Sequence, residues 1–336
     1  MKSKLCLTRG ERVCRTLLAL LMTIASLWGM WRILVQKPAI AEHTLQPLPG
    51  ASDRPSSSAQ SETASDQLPA DAESEVDLYE RKQDCWTFLL VGMDRGGGNT
   101  DSLMLVTYDV AKQDVSVASI ARDTRVDVDR KLKKINAAYA FGGMDELLAE
   151  VTKTFGIPVD YYFRVNINGF VRLVNAVDGI DYKVPCNMDY DDEAQDLAIH
   201  YSRGMQHLTG SQALEVCRFR QNNDGSGYGD EGRQQTQRGV LTAVIKKALS
   251  RPDKLSQYAS IASENLETNL PLGNLIWFAT QALSFNTENL HTMSMPCQWI
   301  NPYMYLKPDE TLETVNQYLN PYTTPRTADM LDIITR

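Results

Sequence analysis

The sequence predicts a single α/β domain over residues 85 to 336, behind an N-terminal membrane anchor and a disordered acidic linker. Three observations lead to it. Apolar runs of strand length alternate with segments of helical periodicity from Cys85 onward, the pattern of one interleaved α/β unit. The first three runs are joined by short loops, which suits an antiparallel meander inside a larger sheet. Before Cys85 the composition changes abruptly to Ser, Asp, Glu, Ala and Pro, which bury too little apolar surface to fold. The 336-residue length allows one large domain or two ordinary ones, and a 43% hydrophobic content supports a substantial core. A formal charge of −8 opposes general affinity for nucleic acid, so no nucleic-acid partner is expected.

The N-terminus divides at the charges. Residues 1 to 15 carry Lys2, Lys4, Arg9, Arg12 and Arg15, a basic tail that favours the cytoplasmic side. TLLALLMTIASLWGMWRILV, residues 16 to 35, is just long enough to span a bilayer as a helix, with Arg32 able to snorkel beside Trp28 and Trp31. The chain is therefore expected in the cell membrane as a single-pass protein with its bulk outside. A cleaved signal peptide is the rival, since PAIA at 38 to 41 resembles a small-residue cleavage site; the length of the apolar run favours an uncleaved anchor. Residues 36 to 84 form the linker, kept extended by its acidic charges.

Strands are expected at 85–94, 101–110 and 115–124, then a helix at 144–156 that ends on a glycine. A strand at 160–166, a helix at 169–179 and the strand IDYKVP follow. Thr209 sits in an N-cap position for a helix through LTGSQALEVC, and 232–250 is an amphipathic helix. Further helices fall at 252–265 and 271–283, a strand in LHTMSMP, and a last helix around 309–319. The outer cysteines, Cys85, Cys186, Cys217 and Cys297, contain no C-x-x-C pair, which rules out an ordinary zinc site. An outside location permits disulfides, but each lies in an apolar run and burial as a small hydrophobe is the favoured reading. His43, His200, His207 and His291 are scattered and give no triad.

Three constellations could carry chemistry. CRFR, residues 217 to 220, places Arg218 and Arg220 on one face if extended, a pair of forks suited to phosphate, while Cys217 and Phe219 point to the core. In GRQQTQRGV the apolar stripe Val240, Leu241, Val244, Ile245 and Ala248 extends back through Gln237 to Arg233. Burying those groups requires partners: an anion at the helix N-terminus, or an internal network with Asp230. Arg238 is expected off that stripe. GMDRGGGNTDS brings Asp94 and Asp101 together across a glycine-rich loop, a pair suited to Mg²⁺ or Mn²⁺, or simply two turn residues. In ARDT, Arg122 and Asp123 point to opposite faces of a strand end.

The motif order FLLVGMD, TDSLMLVTYD, SIARDTRVDV, KINAAYAFGG, GIPVDYYFRVNINGFVRLVNAVDGIDYKVP, LTGSQALEVCRFR and GRQQTQRGVL, over residues 86 to 249, resembles the LytR-CpsA-Psr family. The resemblance implies an α/β fold around a mostly antiparallel sheet, with an apolar tunnel for a lipid. It implies a membrane-anchored phosphotransferase that moves a glycopolymer from a polyprenyl-pyrophosphate carrier to a cell-wall acceptor, commonly the muramic acid hydroxyl of peptidoglycan. Asp94 and Asp101 then take the magnesium positions, and Arg122, Arg218, Arg220, Arg233 and Gln237 hold the pyrophosphate. Arg122 and Asp123 are the catalytic candidates, with QNNDGSGYGDE a flexible loop able to close over the sugar side. Asn99, Thr236 and Ala121 depart from the family pattern of two arginines and a proline, and the first two remove positive charge expected at the rim. The rival functions are a pyrophosphatase acting on lipid-linked sugars and a non-catalytic envelope regulator.

Overall fold

The structure, a computed structural model, describes residues 35–40, 80–93 and 100–335, together with Met22, Thr23 and Gly29. The anchor expected at residues 16 to 35 lies almost wholly outside the described residues, among which no helix is long and apolar enough to cross a membrane. Asp94, Asn99 and the glycine loop between them also lie outside.

The core of the domain is a six-stranded sheet in the order β10-β3-β2-β1-β4-β9. β1 (Cys85–Met93), β2 (Thr100–Asp109) and β3 (Asp114–Ile120) form the expected antiparallel meander. β4 (Tyr161–Val165) joins β1 in parallel, β9 (Leu266–Thr268) joins β4 antiparallel, and β10 (Leu290–Ser294) lies parallel to β3. Three antiparallel and two parallel pairings make the sheet mixed, with antiparallel pairing in the majority as expected. The returning chains of β4 and β10 each arrive after a helical crossover, as a parallel neighbour requires.

Alternation along β1 builds two different faces. Leu89 and Val91 join Leu103, Leu105 and Ile120 beneath helix α1 (Ala137–Phe155), whose Leu147, Val151 and Phe155 complete the main core. This helix starts earlier than expected and bends where Gly142 and Gly143 leave helical geometry. Phe88 and Leu90 face the other way, toward α2 (Ile167–Ala176), α4 (Gly229–Leu249), α5 (Leu255–Asn265) and α6 (Leu272–Gln281), a side that remains hollow. Helix α3 (Gly210–Arg218) starts with Thr209, whose backbone N–H donates to Gln212 Oε1 at 2.9 Å. It packs on α2 so closely that a β-carbon on Gly210 would stand 2.2 Å from the Val171 carbonyl oxygen.

Hairpins β5–β8 (Ile180–Val184 with Gly204–Leu208) and β6–β7 (Met188–Asp192 with Leu197–Tyr201) cover a second core under α3 and α4. β11 (Cys297–Ile300) and β12 (Tyr303–Leu306) form a further hairpin before α7 (Pro308–Thr314). The expected last helix, 309–319, thus begins at Pro308 and changes to wider turns over Val315–Leu319. Cys85, Cys186, Cys217 and Cys297 are all free thiols, which decides the question of disulfides.

The linker boundaries are corrected at both ends. Glu80 and Lys82 bond the 320–323 turn, and Arg81 holds the buried Asp160 carboxylate at 2.7 Å, so residues 80 to 84 pack as part of the domain. Polar composition hid this, because these charges are satisfied by distant partners rather than by local ones. Residues 36 to 40 also pack on the domain. Asn274 Nδ2 donates to the Gln36 carbonyl at 2.7 Å, Lys37 pairs with Asp84, and Ile40 lies against the cluster around Trp86 and Phe88.

Candidate active site

The hollow side of the sheet encloses two connected apolar cavities. The first, about 510 Å³, is bounded by Leu90, Met104, Phe163, Phe170, Leu241 and Val244. The second, about 420 Å³, shares Leu90, Phe163, Leu173, Val244, Ala262 and Leu275 with the first and ends among Tyr108, Phe278 and Phe285. They form one tunnel between sheet and helices. A close-packed domain tolerates so large a void only where something occupies it.

The tunnel is apolar except at one mouth, where Asp101, Ser102, Gln195, Arg218, Arg233 and Gln237 gather. Asp101, Ser102, Arg233 and Gln237 also line a narrow throat beyond it, together with Arg122 and Gln234. Arg122 and Gln234 in turn line a polar cleft of about 650 Å³, with Asp123, Arg220 and Asp230. Tunnel, throat and cleft therefore follow one another through shared residues.

The sheet and α4 position the throat side chains. Arg122 follows β3 and donates from Nη1 to Asp101 Oδ1 on β2 at 2.7 Å. Burial opposes its charge, but the bond and charge of Asp101 outweigh this and push the guanidinium above its ordinary value. Arg233, on the first turns of α4, is only 5% exposed. Its Nη2 reaches Asp230 Oδ1 at 2.6 Å, while Nε is buried with no hydrogen-bond partner among the described residues. Burial pulls Arg233 below its ordinary value; Asp230 opposes this, whereas Arg220 and Arg122 add to it. Burial also acts to raise Asp230, yet Arg233, the Gln234 bond, Arg220 and Arg122 together hold it below the usual carboxylate range. The throat is a crowded cationic site, partly neutralised by two carboxylates.

Gln237, one turn further along α4, accepts from Ser102 Oγ at 3.0 Å, and its Nε2 lies 3.4 Å from the Cys217 carbonyl. Arg233 makes the internal pair with Asp230 that was one of the two sequence readings, and its helix face lines the mouth. Burial pushes the Cys217 thiol up to about 12.

Four expectations are corrected. Arg218 is the last residue of α3, not part of an extended segment, and the chain turns extended at Phe219 beyond it. Cys217 and Phe219 do enter the core, but the two arginines part: Arg218 lines the tunnel mouth and donates to Gln195 Oε1 at 2.7 Å, whereas Arg220 lines the cleft. Arg238 is 9% exposed rather than turned away, and its Nη1 donates to Ser119 Oγ at 2.8 Å and Ser294 Oγ at 2.9 Å, joining β3 to β10. The 221–231 segment is tied down: Asn223 N–H donates to the Asp189 carbonyl at 2.8 Å, and Asn222 and Asn223 side chains bond the β6 backbone. Thr236 is buried with its hydroxyl 3.0 Å from Tyr228 Oη, so that position belongs to the second core and not to a charged rim.

Asp101 is where the sequence placed it, and Asp94 lies outside the described residues. Asp123 sits on the cleft with one oxygen 2.8 Å from Lys134 Nζ. The sequence reading missed Ser102, Gln195, Gln234 and Lys134; Gln234 was open to notice, lying one residue after Arg233 at the helix N-terminus.

The fold and the site define a sheet-and-helix domain whose apolar tunnel ends at the buried Arg233 and the half-buried Arg218. The chain belongs to the LytR_cpsA_psr family, whose model matches residues 53–320. It is 41% identical over 192 residues to a polyisoprenyl-teichoic acid–peptidoglycan teichoic acid transferase, TagU, of Bacillus mycoides, covering 55% of this chain and 60% of that one. It is 35% identical over 234 residues to TagV of Bacillus subtilis, covering 66% and 59%. The matched segments thus span about 60% of the length of these relatives. The crystal structure of Bacillus subtilis TagV superposes with a TM-score of 0.59 at 30% identity, covering 69% of this chain and 94% of that one.

Proposed function

We propose that the protein transfers a glycopolymer phosphate from a polyprenyl-pyrophosphate carrier to a hydroxyl of the cell wall, most simply the muramic acid hydroxyl of peptidoglycan. The observation that carries this reading is the succession of apolar tunnel, arginine-lined constriction and polar cleft, each sharing lining residues with the next. The polyprenyl chain lies in the tunnel and its diphosphate at the tunnel mouth, against the side chains that line the throat. Phosphoryl transfer needs little covalent help; it needs alignment and charge neutralisation, which Arg122, Arg218, Arg220 and Arg233 supply. The names of the TagU and TagV relatives support the same substrates.

In the reaction the acceptor oxygen bonds the sugar-bearing phosphorus, and the bond from that phosphorus to the bridging oxygen breaks. Polyprenyl phosphate leaves with the bridging oxygen and its electron pair. Asp123, on the cleft wall beside Arg122, is our candidate to take the hydroxyl proton. Gln237 and Ser102, already bonded to each other, hold the head group at the tunnel mouth.

The donor set at the mouth fits a hard divalent cation. Asp101 offers a carboxylate oxygen, no imidazole lines the throat, and Asp94 enters the same β1–β2 turn in sequence. Bound there, Mg²⁺ or Mn²⁺ would neutralise diphosphate oxygens. The anchored, extracellular placement belongs to the same proposal, and the docking of residues 36 to 40 beside the far end of the tunnel supports it.

The test uses full-length protein in detergent with a short-chain prenyl diphospho-oligosaccharide, soluble peptidoglycan fragments and Mg²⁺. Mass spectrometry should find a phosphodiester between the two glycans and free prenyl phosphate, abolished by a chelator. Release of the oligosaccharide phosphate to water alone would favour a pyrophosphatase. No consumption of the donor would reject both.

A further inference from the structure

The polar cleft has a feature that the diphosphate does not explain. Trp299 lies on its wall and is 54% exposed, among the large hydrophobic side chains most open to solvent. Around it stand Glu231, Gln234, Lys307 and Glu310, with Lys307 Nζ 2.9 Å from Glu310 Oε1. An indole face bordered by carboxylates, an amide and an ammonium matches a pyranose ring, whose C–H face is apolar and whose rim is hydroxyls and amides.

The platform is also held in place. On β11, Cys297 and Trp299 alternate toward the cleft, and Trp299 pairs across the hairpin with Met304. Met304 N–H donates to the Asp123 carbonyl at 2.9 Å, and the Met304 carbonyl accepts from Arg125 N–H at 2.8 Å. The hairpin bearing the indole is thus stitched to the loop that bears Arg122 and Asp123. A volume of about 650 Å³ suits a saccharide unit or two.

We propose that this cleft is the seat of the acceptor glycan, with Trp299 stacking on the sugar next to the one that is phosphorylated. This rests on the transferase reading above and adds which wall of the site reads the acceptor. In-line displacement places the attacking and leaving oxygens on opposite sides of phosphorus. The leaving prenyl phosphate is at the tunnel mouth, so the attacking hydroxyl comes from the cleft. The donor's own glycan leaves the reacting phosphorus sideways.

Full-length protein is titrated with soluble, uncrosslinked peptidoglycan glycan oligomers, without any donor, and then assayed with the short-chain diphospho-oligosaccharide. Trp299→Ala should weaken glycan binding about tenfold and raise the acceptor KM by a similar factor, while kcat at saturating acceptor falls less than twofold. Trp299→Phe, which keeps a flat ring, should recover affinity to within about threefold. Glycan binding that is the same in Trp299→Ala as in the wild type would overturn the proposal. A loss that falls on the donor KM instead would overturn it too, because the cleft would then hold the donor's sugars. If the wild type consumes no donor, the transferase reading fails while the titration still decides the cleft.

Discussion

Replacing Arg233 with Met separates what that side chain does for the reaction from what it does for the fold. In the free protein its described ion pair is with Asp230, whose side chain is 45% exposed and keeps Gln234 and Arg220 as partners, so losing Arg233 costs that carboxylate about 0–1 kcal/mol. Burial of the guanidinium works against it, and a thioether of similar reach removes that burden. Stability should therefore change by no more than about 1 kcal/mol, or a melting shift of about 2–4 °C in a domain of this size. Function should respond very differently. A guanidinium gripping a diphosphate makes two charge-assisted hydrogen bonds of about 1.5–3 kcal/mol each. Their loss is about 3–6 kcal/mol, or roughly 10²- to 10⁴-fold in kcat/KM. The assay is turnover of the short-chain diphospho-oligosaccharide beside a thermal melt of the same sample. A fall in kcat/KM smaller than tenfold, or a melting loss of ten degrees or more, would refute the reasoning, since Arg233 would then be a structural residue.

A chain beginning at residue 85 should melt about 6–20 °C below one beginning at 80. It strands the Asp160 carboxylate without Arg81, a loss of about 3–5 kcal/mol, and equal melting temperatures would return the boundary to 85. Arg238→Ala should cost about 2–4 kcal/mol, because it leaves a cavity and strands the hydroxyls of Ser119 and Ser294, yet change the donor KM less than threefold. A donor KM raised as far as in Arg233→Met would place Arg238 in the throat after all. Glu150 is buried, and burial raises its carboxyl above the ordinary value more than Lys153 and Arg130 lower it. The folded state thus holds this proton more tightly than the unfolded chain, so stability is lost as pH rises from the ordinary carboxylate value through the raised one. Glu150→Gln should therefore gain in melting temperature relative to wild type on going from acid to neutral pH, and a constant difference between the two proteins would contradict it.

The meander, the helices around 210–218 and 229–249 and the core residues of β1 were legible because apolar period and capping signals are local. What was not legible depended on partners far away in the chain. Helix α4 is the clearest case. Arg233, Gln237, Leu241 and Val244 face the tunnel, Arg238 reaches β3 and β10, and Thr236 and Val240 enter the second core. A helix buried on three sides has no single stripe, so stepping along one face assigned Arg238 to solvent. Arg218 and Arg220 were wrongly paired, since nothing in CRFR says that the helix ends between them. The β6–β7 hairpin, with DYDD along one strand, lacked the apolar alternation that marks a strand, and its side chains are largely exposed.

The charges of the throat explain why so many arginines can share it before any substrate arrives. Arg122, Arg220 and Arg233 stand against Asp101 and Asp230, which leaves one net positive charge. Each carboxylate is shared or bonded so that no two guanidiniums meet without one between them, which limits the repulsion that already lowers Arg233. A diphosphate diester brings two negative charges and would turn the throat net negative by one. That deficit calls for one further cation, and Arg218 at the tunnel mouth supplies it. As the prenyl phosphate leaves, one more negative charge develops at the mouth, beside Asp101 and next to the turn that carries Asp94. Arginines fixed in place on α3 and α4 cannot follow that change, whereas a divalent cation held by the two aspartates would balance it. On the proposed reaction this favours a divalent cation at the turn, which would sit on the leaving-group side, away from the cleft proposed for the acceptor.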